Sequence, residues 1–221
     1  MREKPTEDYI YHVYNRGVDK REIFNNDSDR RRFLACLHCF NDTSQSRNAD
    51  YPENTKNDGR EKLVEILAFV LMPNHYHLLV KPLVENGVSE FMRKIGTGYT
   101  HYFNIQNERS GTLFQGKYKF VRIEDDEQLN YIPFYIHFNP AELIENNWKE
   151  KEIRDKAELL KFLKSYEWSS LPDYLGISKL PSIIDKELLR DYLGSPTELE
   201  KEIEEWLEEM NQYNHTNLWI E

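Results

Sequence analysis

No stretch of the 221 residues approaches the roughly 20 consecutive apolar positions a helix needs to cross a bilayer, so no membrane partner is expected. The opening residues, MREKPTEDYI, contain no apolar block of the kind a secretory leader requires, and a cytoplasmic protein is expected. Cysteine is scarce. Cys36 and Cys39 have no second Cys/His pair at zinc-site spacing and fall in a helix-like run, so they read as reduced core thiols. No internal repeat is visible. What the chain has in quantity is aromatic: fourteen Tyr, eleven Phe and four Trp supply large core anchors and exclude disorder along the full length. The length suits one domain, or one domain with an appendage.

Charge is unevenly spread. The formal net charge is −10, yet residues 141–221 hold ten Lys+Arg against nineteen Asp+Glu and account for nearly all of it. Residues 81–122 are basic instead, with seven cations and three acids. Such a chain does not coat nucleic acid unspecifically, but it can present one basic face on an acidic body.

Alternation and aromatic content predict a strand over residues 9–14 (YIYHVY), punctuated by Asn15-Arg16-Gly17. A helix follows, N-capped by Asp27 or Ser28, with Phe33, Leu34, Leu37 and Phe40 on one face. Residues 41–61 are almost wholly polar and read as an exposed loop. Residues 63–71 and 75–81 read as two strands joined by a tight turn at Met72-Pro73-Asn74, or as one bent strand, and 88–106 as a helix weakened by Gly96 and Gly98. Residues 111–123 suggest a basic strand or hairpin. The acidic run Glu124-Asp125-Asp126-Glu127 suits a helix N-terminus. Pro133 should kink that helix or mark its start. The rest is helical and acidic, ending in TELEKEIEEWLEEMNQYN, expected as a solvated amphipathic helix. This order predicts an α+β fold: a mostly antiparallel sheet with helices mainly on one face, followed by an acidic helical C-terminal extension.

Three groups of residues could do chemistry. In a strand, His75 and His77 point to the same face, close enough to share a divalent metal. The plainer reading is two strand histidines paired with carboxylates or facing solvent. On a helix, Tyr135 and Asn139 lie one turn apart and project together, one a possible nucleophile and one a possible ligand. With fourteen tyrosines, Tyr99, Tyr102 and Tyr131 have equal claims on chemistry alone. The segment Phe114-Gln115-Gly116-Lys117-Tyr118-Lys119-Phe120 alternates cations and rings in a way that suits phosphates and unstacked bases, and also suits an ordinary surface strand.

Taken in order, several segments resemble a known family. These are Tyr11-His12-Val13-Tyr14-Asn15-Arg16-Gly17, Phe24 with Asp29-Arg30, Met72 through Val80, Tyr102-Phe103-Asn104, Gly111 through Tyr118, and Tyr135-Ile136-His137-Phe138-Asn139-Pro140. The set resembles the IS200-type single-tyrosine HUH transposases, most closely the REP-associated tyrosine transposase branch, over roughly residues 9–145. Tyr166-Glu167-Trp168-Ser169-Ser170 is similar to that branch's downstream segment. The resemblance implies a ferredoxin-like or RRM-like catalytic domain over 1–145 and an extension over 146–221. It implies His75 and His77 as the HUH histidines, Tyr135 as nucleophile, and Asn139 as a third metal ligand for Mg²⁺ or Mn²⁺. It implies single-stranded DNA with hairpins as substrate, nicked and transferred through a 5′-phosphotyrosine, by a monomer or a homodimer. Arg16, Arg93, Lys94, Lys117, Lys119 and Arg122 are the candidate phosphate contacts. Two alternatives remain: a catalytically retired hairpin DNA- or RNA-binding protein on the same fold, and a metal-dependent hydrolase that uses a bound water.

Overall fold

The computed structural model describes residues 5–44, 59–145, 148, 153–178 and 183–209. Its centre is one antiparallel sheet of four strands: β1 (Tyr11–Arg16), β2 (Val64–Met72), β3 (His75–Pro82) and β4 (Lys119–Arg122). They lie in the order β2-β3-β1-β4. With α1 (Asp27–Cys39) between β1 and β2, and α2 (Gly87–Gln106) between β3 and β4, the connectivity is βαββαβ, the ferredoxin-like motif. The α+β architecture and antiparallel sheet expected from the sequence are present.

Register decides which residues share a face. Tyr14 lies opposite His77 and Lys119, and Arg16 lies opposite His75. His12, Tyr14, Arg16, His75, His77 and Lys119 therefore line one face, while Tyr11, Val13, Tyr76 and Leu78 line the other. The second face is packed by α1 and α2: Phe33 meets Tyr76 at 4.9 Å, and Tyr99 meets Phe33 at 4.9 Å. Cys36 is buried there, and burial pushes its thiol up to about 12, as suits an inert core residue. The first face receives α3 (Asp126–Phe138), whose Tyr135 packs against His77.

Several boundaries differ from the sequence reading, each for a local reason. The N-cap of α1 is Asn26, whose side chain accepts from Asp29 N at 3.0 Å. Asn41, expected in an exposed loop, is buried and binds the Leu63 and Val64 backbone at 2.8–3.0 Å, closing the start of β2. Residues 45–58 of that loop lie outside the described residues. Over 111–123, regular strand is confined to β4; Gly111 (φ 86°) and Gly116 (φ 130°) turn the preceding segment into a loop. Gly98 does not break α2. It lets the ring of Phe40 approach so closely that a Cβ would collide with it. Pro133 does not mark the start of α3, which begins seven residues earlier at Asp126 and runs through it. Asp125 caps the helix by accepting from Gln128 N at 2.8 Å, and burial of Leu129, Ile132, Ile136 and Phe138 holds it through the proline.

Beyond residue 153 come α4 (Lys156–Ser165), α5 (Leu171–Tyr174), α6 (Glu187–Leu193) and α7 (Pro196–Glu209). They do not trail into solvent. Leu71 N donates to Trp168 O at 2.8 Å, and the Tyr166 and Tyr174 hydroxyls donate to Leu71 O and Leu67 O, so this region covers the edge of β2. On α7, Leu199, Ile203 and Leu207 are buried, and Trp206 packs on Phe138 of α3 at 4.5 Å. The solvated helix expected from its acidity is thus a clasp on α3; residues 210–214 of that predicted segment lie outside the described residues. Among the described residues, no helix is long and apolar enough to cross a membrane.

Candidate active site

The start of β3 is held by main-chain bonds from the segment after β1. Gly17 N donates to Asn74 O at 2.8 Å, and Ile23 N donates to Pro73 O at 2.8 Å. The Pro73-Asn74 turn is therefore fixed relative to β1. Period-two geometry then sends Tyr76 into the core and turns His75 and His77 to the opposite face, with ring centroids 5.1 Å apart. His77 is fully buried and His75 partly so.

Both imidazoles open onto one cleft of about 540 Å³. Its walls include Tyr14 and Arg16 from β1, His75 and His77 from β3, Lys117 and Lys119 at β4, and Asn139 and Glu142 after α3. The Lys119 ammonium lies 5.7 Å above the Tyr14 ring. The polar and basic side chains match phosphate-bearing ligands better than apolar ones. A wider groove of about 1030 Å³ between α2 and residues 112–120 shares Asn15 and Lys117 with the cleft.

Tyr135 comes to the same place from α3. Its ring centroid lies 5.7 Å from that of His77, edge-on, and 5.8 Å from that of His12. It is only 1% exposed and is not part of the cleft wall. Asn139, one turn on, donates from Nδ2 to Tyr135 O at 2.8 Å. Its Oδ1 is therefore the amide atom available in chemistry to a cation. His137, between them, points away: its Nε2 lies 2.8 Å from Ser170 Oγ, and burial lowers its pKa to about 3.

The six predicted basic contacts divide. Arg16, Lys117 and Lys119 surround the cleft. Arg93 lines the neighbouring groove and pairs with Glu90 at 2.6 Å. Lys94 instead ties down residues 42–44, donating to Asp42 O at 2.6 Å and Ser44 O at 2.7 Å. Arg122 pairs with Glu124 at 2.8 Å and stacks over Tyr9 at 4.6 Å.

Two imidazoles and an amide oxygen on one cleft could hold a divalent cation: imidazole suits several transition metals, and oxygen donors favour Mg²⁺ or Mn²⁺. Among the described residues, no group of three or more His, Cys, Asp or Glu side chains is assembled for a metal, so a cation held here would need a further donor such as the Asn139 amide oxygen.

Sequence reasoning missed His12, Tyr14, Asn74 and Glu142 as site residues. His12 and Tyr14 have the same i, i+2 spacing as His75 and His77, and strand alternation alone puts both on one face. Which face, and opposite which histidine, depends on β1–β3 pairing across more than sixty residues.

The profile of the family described as "Transposase IS200 like" matches residues 6–139, more than half of the chain. No curated protein matches it in sequence. Among solved structures, the fold is similar to that of a REP-associated tyrosine transposase bound to a REP hairpin. The TM-score is 0.53 at 14% identity, covering 85% of this chain and 94% of that one. The match of sequence profile across β1 to α3, on a sheet that gathers two histidines and a buried tyrosine, establishes that the chain belongs to the IS200-like transposase family.

Proposed function

We propose that this chain nicks single-stranded DNA beside hairpin elements and transfers the cut strand, with Tyr135 as nucleophile, as a member of the REP-associated branch. One observation supports this above the others. Tyr135, some sixty residues beyond the histidines in the chain, packs its ring 5.7 Å from that of His77, beside a cleft that also holds His75, Asn139 and three cations. The structural neighbour's bound REP hairpin supports DNA with hairpins as the substrate.

Arg16, Lys117 and Lys119 neutralise the phosphates flanking the scissile one and hold the strand along the cleft. His75 and His77 through Nε2, and Asn139 through Oδ1, would hold Mg²⁺ or Mn²⁺, which when bound supplies Lewis-acid polarisation of the phosphate. The Tyr135 oxygen attacks phosphorus, the P–O3′ bond breaks, and the phenolic proton is balanced by protonation of the departing 3′ oxygen. The product is a 5′-phosphotyrosine and a free 3′-OH. A second 3′-OH reverses the step on a new strand, so no nucleotide cofactor is consumed. Because Tyr135 is 1% exposed, its hydroxyl reaches the scissile phosphate only after a movement of its side chain or of α3.

A DNA hairpin with a single-stranded flank, labelled downstream of the cut, should give a protein–DNA adduct with Mn²⁺. The adduct should vanish in Tyr135→Phe and in His75→Ala. Activity that survives Tyr135→Phe but is lost in His75→Ala would point instead to hydrolysis by a bound water. The burial of Tyr135 favours one second reading, a hairpin-binding protein without catalysis; it predicts binding unchanged by EDTA and no adduct with any metal.

A further inference from the structure

Each cleft imidazole has its Nδ1 engaged by a neighbour, but the two neighbours differ in what they permit. Nδ1 of His75 lies 2.5 Å from Oδ1 of Asn74, whose Nδ2 donates to Lys20 O at 3.3 Å and so fixes the amide's orientation. An amide oxygen only accepts. His75 therefore has its hydrogen on Nδ1 and its lone pair on Nε2, as a ligand needs. Nδ1 of His77 lies 2.8 Å from Nε2 of His12, and either ring can be the donor. If His12 donates, neutral His77 has its hydrogen on Nε2 and cannot ligate through that atom. If His77 donates, Nε2 is a ligand.

The pair has little freedom to rearrange. Both residues are fully buried, and their rings stack at 5.0 Å with 16° between planes. They are diagonal neighbours across β1 and β3, since Tyr14 sits opposite His77 and His12 lies opposite Leu79. Tyr14 stacks on both rings, at 5.2 Å and 5.6 Å, and Tyr135 meets both edge-on. His12 thus touches a predicted ligand and the predicted nucleophile while staying outside the cleft wall.

We propose that His12 is a positioning residue: its Nε2 accepts the Nδ1 hydrogen of His77 and thereby holds His77 in the tautomer whose Nε2 binds the divalent cation. This rests on the metal-dependent reading above and assigns His12 the role that Asn74 fills for His75. A hydrogen-bonded partner behind a ligating imidazole fixes both its tautomer and its ring orientation.

The test begins with the metal-free wild-type protein. Two-bond ¹H–¹⁵N correlation spectra of ¹⁵N-histidine-labelled protein, assigned by the signals lost in His77→Ala, should show His77 as the Nδ1–H tautomer and His12 as an Nε2 acceptor. Finding His77 as the Nε2–H tautomer overturns the proposal whatever any variant does. Mn²⁺ titration should then show affinity falling about 10–100-fold in His12→Phe and largely recovering in His12→Gln, whose amide oxygen can accept. If His77→Ala does not weaken Mn²⁺ binding, the metal reading fails and the proposal with it. If His77→Ala does weaken it while a folded His12→Phe binds as wild type, the positioning role alone is overturned.

Discussion

Three histidines near α3 show how environment, and not residue type, sets a role. His77 stands beside the cleft and His12 backs it, whereas His137 is sealed against Ser170 under the C-terminal helices. Burial depresses the His137 pKa from 6.5 to about 3, so its neutral form is the folded form. The unfolded chain takes up the proton first as pH falls. Stability from this residue is therefore complete above about pH 6.5 and is lost toward pH 3, at up to about 1.4 kcal/mol per pH unit. Urea titrations at several pH values between about 7 and 4 should show His137→Gln losing stability less steeply than wild type. Identical slopes would mean that His137 titrates normally. At this scale the sequence was informative where chemistry is local. His75 and His77 share a face because strands alternate, and Tyr135 and Asn139 lie one turn apart on a continuous stretch of chain. The divergent fates of His12 and His137 were not legible, because each depends on a partner far along the chain: His77 for the first, Ser170 for the second.

Among elements, α2 and α3 show propensity yielding to packing. Gly96 and Gly98 both lower helix propensity, and by propensity alone either change to Ala should stabilise α2 by up to about 1 kcal/mol. Their surroundings differ. Apart from its chain neighbours and its own helix backbone, nothing lies within 4 Å of a Cβ built on Gly96, whereas one on Gly98 collides with the Phe40 ring. Gly96→Ala should therefore raise stability by about 0.5–1 kcal/mol, and Gly98→Ala should lower it by about 1–3 kcal/mol as Phe40 is displaced. Thermal melts of the two variants check this, and matching signs would refute the packing account. The same contest explains why Pro133 does not end α3: the helix's apolar side is covered by sheet on one flank and by α7 on another. Strand positions and the tight turn before His75 were legible from alternation and from Met72-Pro73-Asn74. The loop over 111–118 was not, since basic-aromatic alternation looks the same in a strand and in a segment turned by glycines at positive φ.

Across the whole molecule, acidity and DNA processing coexist because the charge is spatially divided. The described helices of the acidic third pack their apolar side on α3 and the β2 edge, leaving Arg16, Lys117 and Lys119 around a cleft to which that third contributes one carboxylate, Glu142. The i, i+4, i+8 spacing of Leu199, Ile203 and Leu207 was visible in the sequence, but not which surface it would cover. Trp206 lies 4.5 Å from Phe138 and 6.3 Å from Phe134, on the helix that bears Tyr135. Trp206→Ala should cost about 2 kcal/mol, below the range for a fully buried aromatic because Trp206 is half-exposed. Its effect should be concentrated in α3. Hydrogen exchange should quicken over residues 126–138 while β3 stays protected, and uniform acceleration would show that α7 supports the whole fold instead. The divided charge also sets the salt response of binding. On the proposed reading, three cleft cations meeting single-stranded DNA phosphates should give a slope of log affinity against log salt of about −2, at about −0.7 per phosphate. Neutralising Lys117 should make that slope shallower by about 0.7. Neutralising Lys94, whose ammonium is held by the Asp42 and Ser44 carbonyls, should leave it unchanged. Binding measured from low to moderate salt on wild type and both variants separates the two lysines, and an equal change in slope for both would mean that the nucleic acid lies across α2 and not along the cleft.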